Sequence, residues 1–375
     1  MIANGAGCGM MKLYRRVVAL RSTQNERQNK ELLCHNTHCP DAFVVLSASR
    51  ETDIPAFYAE WFLERLKKGW CEWKNNYNGV VYRVSFDKVR MIVFWSKNPK
   101  PLFERLDEIE GLGFRQYYFQ FTLNDYVSEG LEPNVPSVAE RIDTFKRLAD
   151  RIGKERVIWR FDPLVLMDGR TVARVSGHAD TVGSSKLSCL TIDMLLDRIR
   201  KIGRQLKGYT EKLVFSFIDI ASYRKVQRNI AGLGIREFSA EEQIQFAKGL
   251  AELNKELGLE LATCGELTDL SMYGIKHNKC VDDDLMMRFF HDDVELMNFI
   301  GAEYDMLDGW HIKKSKKDKG QRKACGCVAS KDIGAYNTCP HLCRYCYANF
   351  SDEAVMLNWQ RCNAVHGITN SRILV

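Results

Sequence analysis

The sequence predicts an α/β fold on parallel strands, arranged as a TIM-like full or partial (β/α) barrel. Three observations carry this. Short β-branched and aromatic runs alternate with amphipathic stretches about six times. The apolar runs are nearly continuous, as in strands covered on both faces. Polar residues gather at the C-terminal ends of those runs: Ser47, Ser49, Arg50, Lys97, Asn98, Thr122, Arg160, Asp162, Asp219 and Glu266. Barrel enzymes place their chemistry at that end of the strands, whereas an open doubly wound sheet does so at one switch point. The open sheet is the alternative.

In chain order, residues 1–42 show no period and read as an irregular N-terminal extension. Within it, Cys34 and Cys39, with His35 and His38, have zinc-compatible spacing, but a loop with two thiols is the favoured reading. A barrel-like domain is expected over 43–310. Its strand candidates are 44–49, 89–97, 115–123, 156–166, 212–219 and 259–266. Apolar residues at helical spacing predict helices over 59–69, 101–113, 137–153, 189–208 and 239–258. Ser137 with Glu140 and Ser239 with Glu242 are capping-box pairs, and Pro101 suits a first turn. Residues 311–375 are expected to form a cysteine-rich segment docked on the barrel. It begins with the exposed basic run 313–323.

At 375 residues and 45% hydrophobic content the chain can bury a full core. Aromatic residues at 11% argue against a disordered chain. A net charge of +6, from 54 basic and 48 acidic residues, is compatible with nucleic acid as a partner without indicating it. No run of about 18 apolar residues predicts a membrane span, and no secretory leader is evident. A cytoplasmic location without membrane partners is the expectation. Phosphate loops, H-E-x-x-H and G-x-S-x-G are absent, which removes support for nucleotide hydrolysis, zinc proteolysis and serine hydrolysis.

Five of the 13 cysteines fall within 325–346. Cys339, Cys343 and Cys346 have the spacing C-x3-C-x2-C, so three thiolates can reach one metal centre. A [4Fe–4S] cube takes four thiolates, and three close ligands leave one iron open to a cofactor. The zinc alternative needs a fourth ligand, which Cys325, Cys327 or His341 can supply. Cys264, Cys280, Cys325 and Cys327 are four further thiols able to hold a second [4Fe–4S] cluster or a zinc ion. They read equally as buried small residues. His277 and His341 are candidate ligands or acid–base groups, against ordinary hydrogen-bonded histidines.

The string YNTCPHLCRYCYA, with Tyr345 before the third cysteine, resembles the cluster loop of radical-SAM enzymes of the spore photoproduct lyase type. In that superfamily the loop follows the first strand. Here it lies near the C-terminus, so a circular permutation is implied. Residues 332–336 (DIGAY) would be the first barrel strand, 44–49 the second and 89–97 the third, with a helix over 351–366. SASRETDIPAFY and FWSKNP resemble the second- and third-strand segments of the same enzymes. More broadly, ASRETDIPAFY, VFWSKNP, YYFQFTL, RVIWRFDP, SFID, the CGC pair and DIGAYNTCPHLCRYCYANF resemble an uncharacterised bacterial family, domain of unknown function 1848.

The radical-SAM resemblance implies a [4Fe–4S] cluster on Cys339, Cys343 and Cys346 that binds S-adenosylmethionine. It also implies a 5′-deoxyadenosyl radical acting on an unknown substrate, and an electron donor of flavodoxin or ferredoxin type. Tyr345 would lie near the adenine. At the strand ends, Ser49, Asp53 and Glu266 are candidates to meet the amino or ribose groups, and Lys97 sits where a catalytic mouth would be. Arg160 and Asp162 are candidate catalytic residues that could bind a carboxylate or each other, and each of these residues reads alone as well as a loop-structuring ion pair or turn. Two rivals remain: a non-catalytic [4Fe–4S] electron-transfer protein, and a zinc-bound nucleic-acid-binding protein using the 313–323 run.

Overall fold

The computed structural model describes residues 43–76, 78–169, 189–364 and 371–374. The expected extension, with Cys34 and Cys39, lies outside them. Eight strands form one sheet: β1 (Val45–Ala48), β2 (Met91–Ser96), β3 (Tyr117–Thr122), β4 (Val157–Leu164), β5 (Lys212–Phe217), β6 (Glu260–Thr263), β7 (Ile275–His277) and β8 (Lys331–Asp332). Their order is β7-β6-β5-β4-β3-β2-β1-β8, and every neighbouring pair is parallel.

This order never reverses between β1 and β7, so each crossover steps in the same direction. Right-handed crossovers then put the connecting helices on one face. Those helices are α1 (Ala59–Lys68), α2 (Leu106–Gly111), α3 (Val138–Ile152), α4 (Ile192–Leu206) and α5 (Ala240–Leu257). A doubly wound sheet would reverse at a switch point. The sheet ends at β7 and β8, which do not pair with each other.

Alternation along the strands divides two cores. The helix-side core takes Leu46, Ile92, Phe94, Phe119, Trp159, Phe215 and Leu261. The other face takes Val45, Met91, Val93, Tyr118, Ile158, Val214 and Ala262, covered by α6 (Asp283–Phe290) and α7 (Val294–Ile300). Two residues further along the strands of this second face come Ser47, Trp95, Gln120, Arg160, Ser216 and Cys264. One end of that face is therefore apolar and the other largely polar, and the candidate site lies at the polar end.

Local chemistry accounts for the helix boundaries. Both expected capping boxes form, and a Thr191 cap that the sequence did not announce starts α4. The helix expected over 101–113 is two short helices, Lys100–Phe103 and α2, with Arg105 off helical geometry between them at φ −111°. The terminal strand DIGAY is shorter than expected: only Lys331 and Asp332 pair, with Leu46 and Ser47. Asp332 makes this short edge firm. Its carboxylate accepts from Ser47 Oγ (2.5 Å), Ser49 Oγ (2.6 Å), Arg50 N (2.9 Å) and Gly334 N (2.9 Å). Helix α8 (Asp352–Ala364) follows the cysteine loop. Among the described residues, no helix is long and apolar enough to cross a membrane.

Candidate metal centre

The loop carrying Cys339, Cys343 and Cys346 follows β8 and lies at the C-terminal ends of β1–β3. Several anchors hold it. Tyr58 donates its hydroxyl to Thr338 O (2.5 Å), and Asn134 Nδ2 donates to Pro340 O (2.8 Å). Arg344 N donates to Leu131 O at 2.9 Å. Asn349 Nδ2 donates to Cys339 O (2.9 Å), and Asn229 Nδ2 to Cys346 O (3.0 Å). Asn337 and Leu342 take positive φ of 59° and 53°, which turns the chain sharply on either side of Cys339.

His341 is buried. Its Nε2 lies 2.8 Å from Asp53 Oδ2 and its Nδ1 3.2 Å from Asn134 O. Asp53 also accepts from Ala56 N (3.0 Å), Ser96 Oγ (2.7 Å) and Lys97 N (2.7 Å). The Asp53–His341 pair thus staples the cysteine loop to β2. The sequence offered Asp53 for a nucleoside and His341 for a metal; in the fold each is engaged by the other. His277 sits exposed on β7, away from this loop.

The three thiols are close enough for their charges to couple. Burial, first of all, pushes the Cys339 thiol up to about 12, and the Asp53 carboxylate and Cys346 add to it. Burial likewise raises Cys343 and Cys346, opposed by the Lys97 ammonium. Thiols held this way ionise readily only when a cation displaces the proton. Backbone Ala348 N already donates to Cys346 Sγ (3.3 Å). Among the described residues, no three cysteine sulfurs lie within 4.8 Å of one another.

Beside the loop, Tyr345 is 8% exposed, and its hydroxyl enters a polar knot. It donates to Glu132 Oε1 and lies 3.1 Å from both Lys97 Nζ and Asn124 Nδ2. Lys97 Nζ stands 2.6 Å from Glu132 Oε1, and Arg141 Nη1 3.7 Å from its Oε2. Burial would raise the Glu132 carboxyl, but Lys97 and Arg141 outweigh it and bring it down to about 2. Neither Glu132 nor Asn124 was singled out from the sequence. Both sit on the non-repetitive connection after β3, and no local pattern marks them.

Asn124 continues the network: its Oδ1 accepts from Asp162 N (2.8 Å). Asp162 pairs with Arg160 and accepts from Ser216 Oγ. Burial raises the Asp162 carboxyl, yet Arg160 outweighs it and the net shift is downward. Arg160 Nη1 in turn donates to Cys280 Sγ (2.9 Å), beside Cys264, Cys325 and Cys327. Lys97, Tyr345, Asp162, Arg160 and both cysteine sets therefore form one connected region. Glu266 borders it, accepting from Phe217 N (3.0 Å), and burial pushes its carboxyl up to about 7. Ser49 stands at the β1–β8 junction, bonded to Asp332.

A family model described as "Domain of unknown function (DUF1848)" matches residues 45–348. No curated protein matches. Among solved structures, the crystal structure of a "putative alpha-L-fucosidase" from Bacteroides thetaiotaomicron VPI-5482 aligns at a TM-score of 0.24 and 10% identity. That alignment covers 88% of this chain and 96% of the other.

Proposed function

The chain belongs to the DUF1848 family, a domain of unknown function, and we propose that it is an iron–sulfur enzyme of the radical-SAM type. The observation that carries this reading is the parallel pairing of Leu46 with Lys331 and Ser47 with Asp332. It makes the cysteine loop follow the strand next to β1, the spatial order that a permuted radical-SAM barrel requires. The singly wound order of the sheet supports a partial barrel as its architecture.

The donor set fits the group. Cys339, Cys343 and Cys346 would hold the cluster, and their surroundings are buried and anchored. When bound, such a cluster supplies the electron that cleaves S-adenosylmethionine. The chain's own residues do the rest. Lys97 places a cation beside Cys343 and Cys346, which favours their ionised forms. Glu132, Lys97 and Asn124 fix the Tyr345 ring against the loop. Asp53 and His341 hold the loop to the sheet.

Anaerobic purification with iron and sulfide quantified, then reduction with S-adenosylmethionine, tests the reading. Brown protein that yields 5′-deoxyadenosine, absent in Cys343→Ala, is expected. Brown protein that never cleaves the cofactor would make it an electron-transfer protein. Colourless protein loaded with zinc would end the iron–sulfur reading.

A further inference from the structure

Four cysteines outside the first loop converge from distant parts of the chain. Cys264 follows β6, Cys280 follows β7, and Cys325 and Cys327 precede β8. They meet on the sheet face opposite α1–α5, the face that α6 and α7 partly cover. Cys264 Sγ lies 3.2 Å from Cys280 Sγ. Cys327 Sγ lies 3.1 Å from Cys280 N, and Cys327 stands close enough to Cys325 for each to shift the other's acidity. Gly326 lets the CGC segment lie flat on the loop before Cys280; a Cβ there would come within 3.2 Å of Lys279 Cγ.

The sulfurs are also targets of N–H groups. Cys327 Sγ accepts from Cys280 N (3.1 Å) and Val281 N (3.3 Å). Cys280 Sγ accepts from Arg160 Nη1 (2.9 Å) and Asn278 Nδ2 (3.4 Å). Arg160 and Asn278 are 4% and 5% exposed, so these donors were taken out of water to face sulfur. A neutral thiol is a weak acceptor and returns little for that desolvation, whereas a thiolate makes the bonds charge-assisted. Four thiolates in one buried place repel one another unless a cation joins them. Small apolar packing explains buried cysteines, but not four N–H donors aimed at two of them.

The geometry points to a second iron–sulfur centre, ligated by Cys264, Cys280, Cys325 and Cys327. Arg160, Asn278 and the 280–281 backbone would supply the hydrogen bonds that set its potential. The four thiols follow one another in the order 264, 280, 327 and 325. Four thiolates also suit a single zinc ion, and measured iron, zinc and sulfide separate the two. The Cys264–Cys280 separation is far beyond a disulfide bond of about 2.05 Å. This inference does not rest on the identity of the first centre.

The test is a full-length chain carrying Cys339→Ser, Cys343→Ser and Cys346→Ser, purified anaerobically, with iron, zinc and acid-labile sulfide measured. About two or more irons per chain with matching sulfide are expected. They should fall to background when Cys325→Ser and Cys327→Ser are added. Zinc in place of iron, or no metal with folded protein by circular dichroism, overturns the proposal. A second measurement covers misfolding of these variants. In the wild-type chain, iodoacetamide labelling read by mass spectrometry should begin at all four cysteines together when a chelator strips the iron. Four unrelated labelling rates, unchanged by the chelator, overturn it as well.

Discussion

Arg160 Nη1 lies 2.9 Å from the sulfur of Cys280, while its Nη2 donates to the carboxylate of Asp162. One buried guanidinium thus serves an acid on one side and a thiol on the other. Removing it strands the Asp162 charge. Arg160→Gln should lower stability by about 3–5 kcal/mol, as for other buried pairs broken on one side. Urea unfolding under anaerobic conditions reads this. Arg160→Lys keeps the charge but loses the fork, so it should recover only part of the loss. A change below about 1 kcal/mol in the Gln variant would mean that Ser216 and solvent suffice for Asp162.

The Glu132 carboxyl gives the fold an acid-sensitive contact. Its pKa is about 2 in the fold, against about 4.3 unfolded. Between those values the unfolded chain binds more protons, so stability rises with pH. The contribution is complete above about pH 4.3 and is lost as pH falls through about 2. The shift corresponds to about 3 kcal/mol. Glu132→Gln should flatten the pH dependence of stability between these limits. An unchanged slope would show that Lys97 and Arg141 do not depress this carboxyl.

Gly334 has no room for a side chain. A Cβ there would fall 1.9 Å from Ser49 Oγ and 2.8 Å from Ser49 Cβ. Gly334→Ala should therefore push the cysteine loop away from β1, costing about 1–3 kcal/mol and lowering iron occupancy. Adding Ser49→Gly frees the space, so the double variant should be more stable than the two single losses predict. Strict additivity would show that the contact is not felt.

Asp53 ties Ala56, Ser96, Lys97 and His341 together. Asp53→Ala should release the loop, so that protein loses iron during anaerobic gel filtration at least several-fold faster than wild type. Full retention of iron with only weakened S-adenosylmethionine binding would instead support the nucleoside role that the sequence offered for this residue.

What the sequence disclosed follows from the range of the forces involved. Strands β1 to β6 were legible because β-branched and aromatic residues cluster in each run. The trio Cys339, Cys343 and Cys346 was legible because its spacing is local. Strand β7 was missed because three residues, two of them exposed, leave no periodic signal. Glu132 was missed for a different reason. Its partner Tyr345 is 213 residues away, and the connection that carries it has no repeating pattern. Asp53 stood out as an acid near a strand end, but its direction depends on His341, 288 positions later. The meeting of β8 with β1 was inferred from motif order, while the Asp332 knot that secures it was not visible in two residues of strand.

The pairing of Ser47 with Asp332 spans 285 positions. During synthesis β1 is among the first strands to leave the ribosome, and its outer edge must wait for one of the last. Until then the nascent sheet carries an open edge, the kind of surface that invites pairing with other chains. The same delay orders assembly. The cysteines at 339, 343 and 346 arrive only after β1 to β7 have been made, so a cluster delivered early would find no completed cradle. On the proposed iron–sulfur reading, cluster loading is then a late step in maturation, set by chain order.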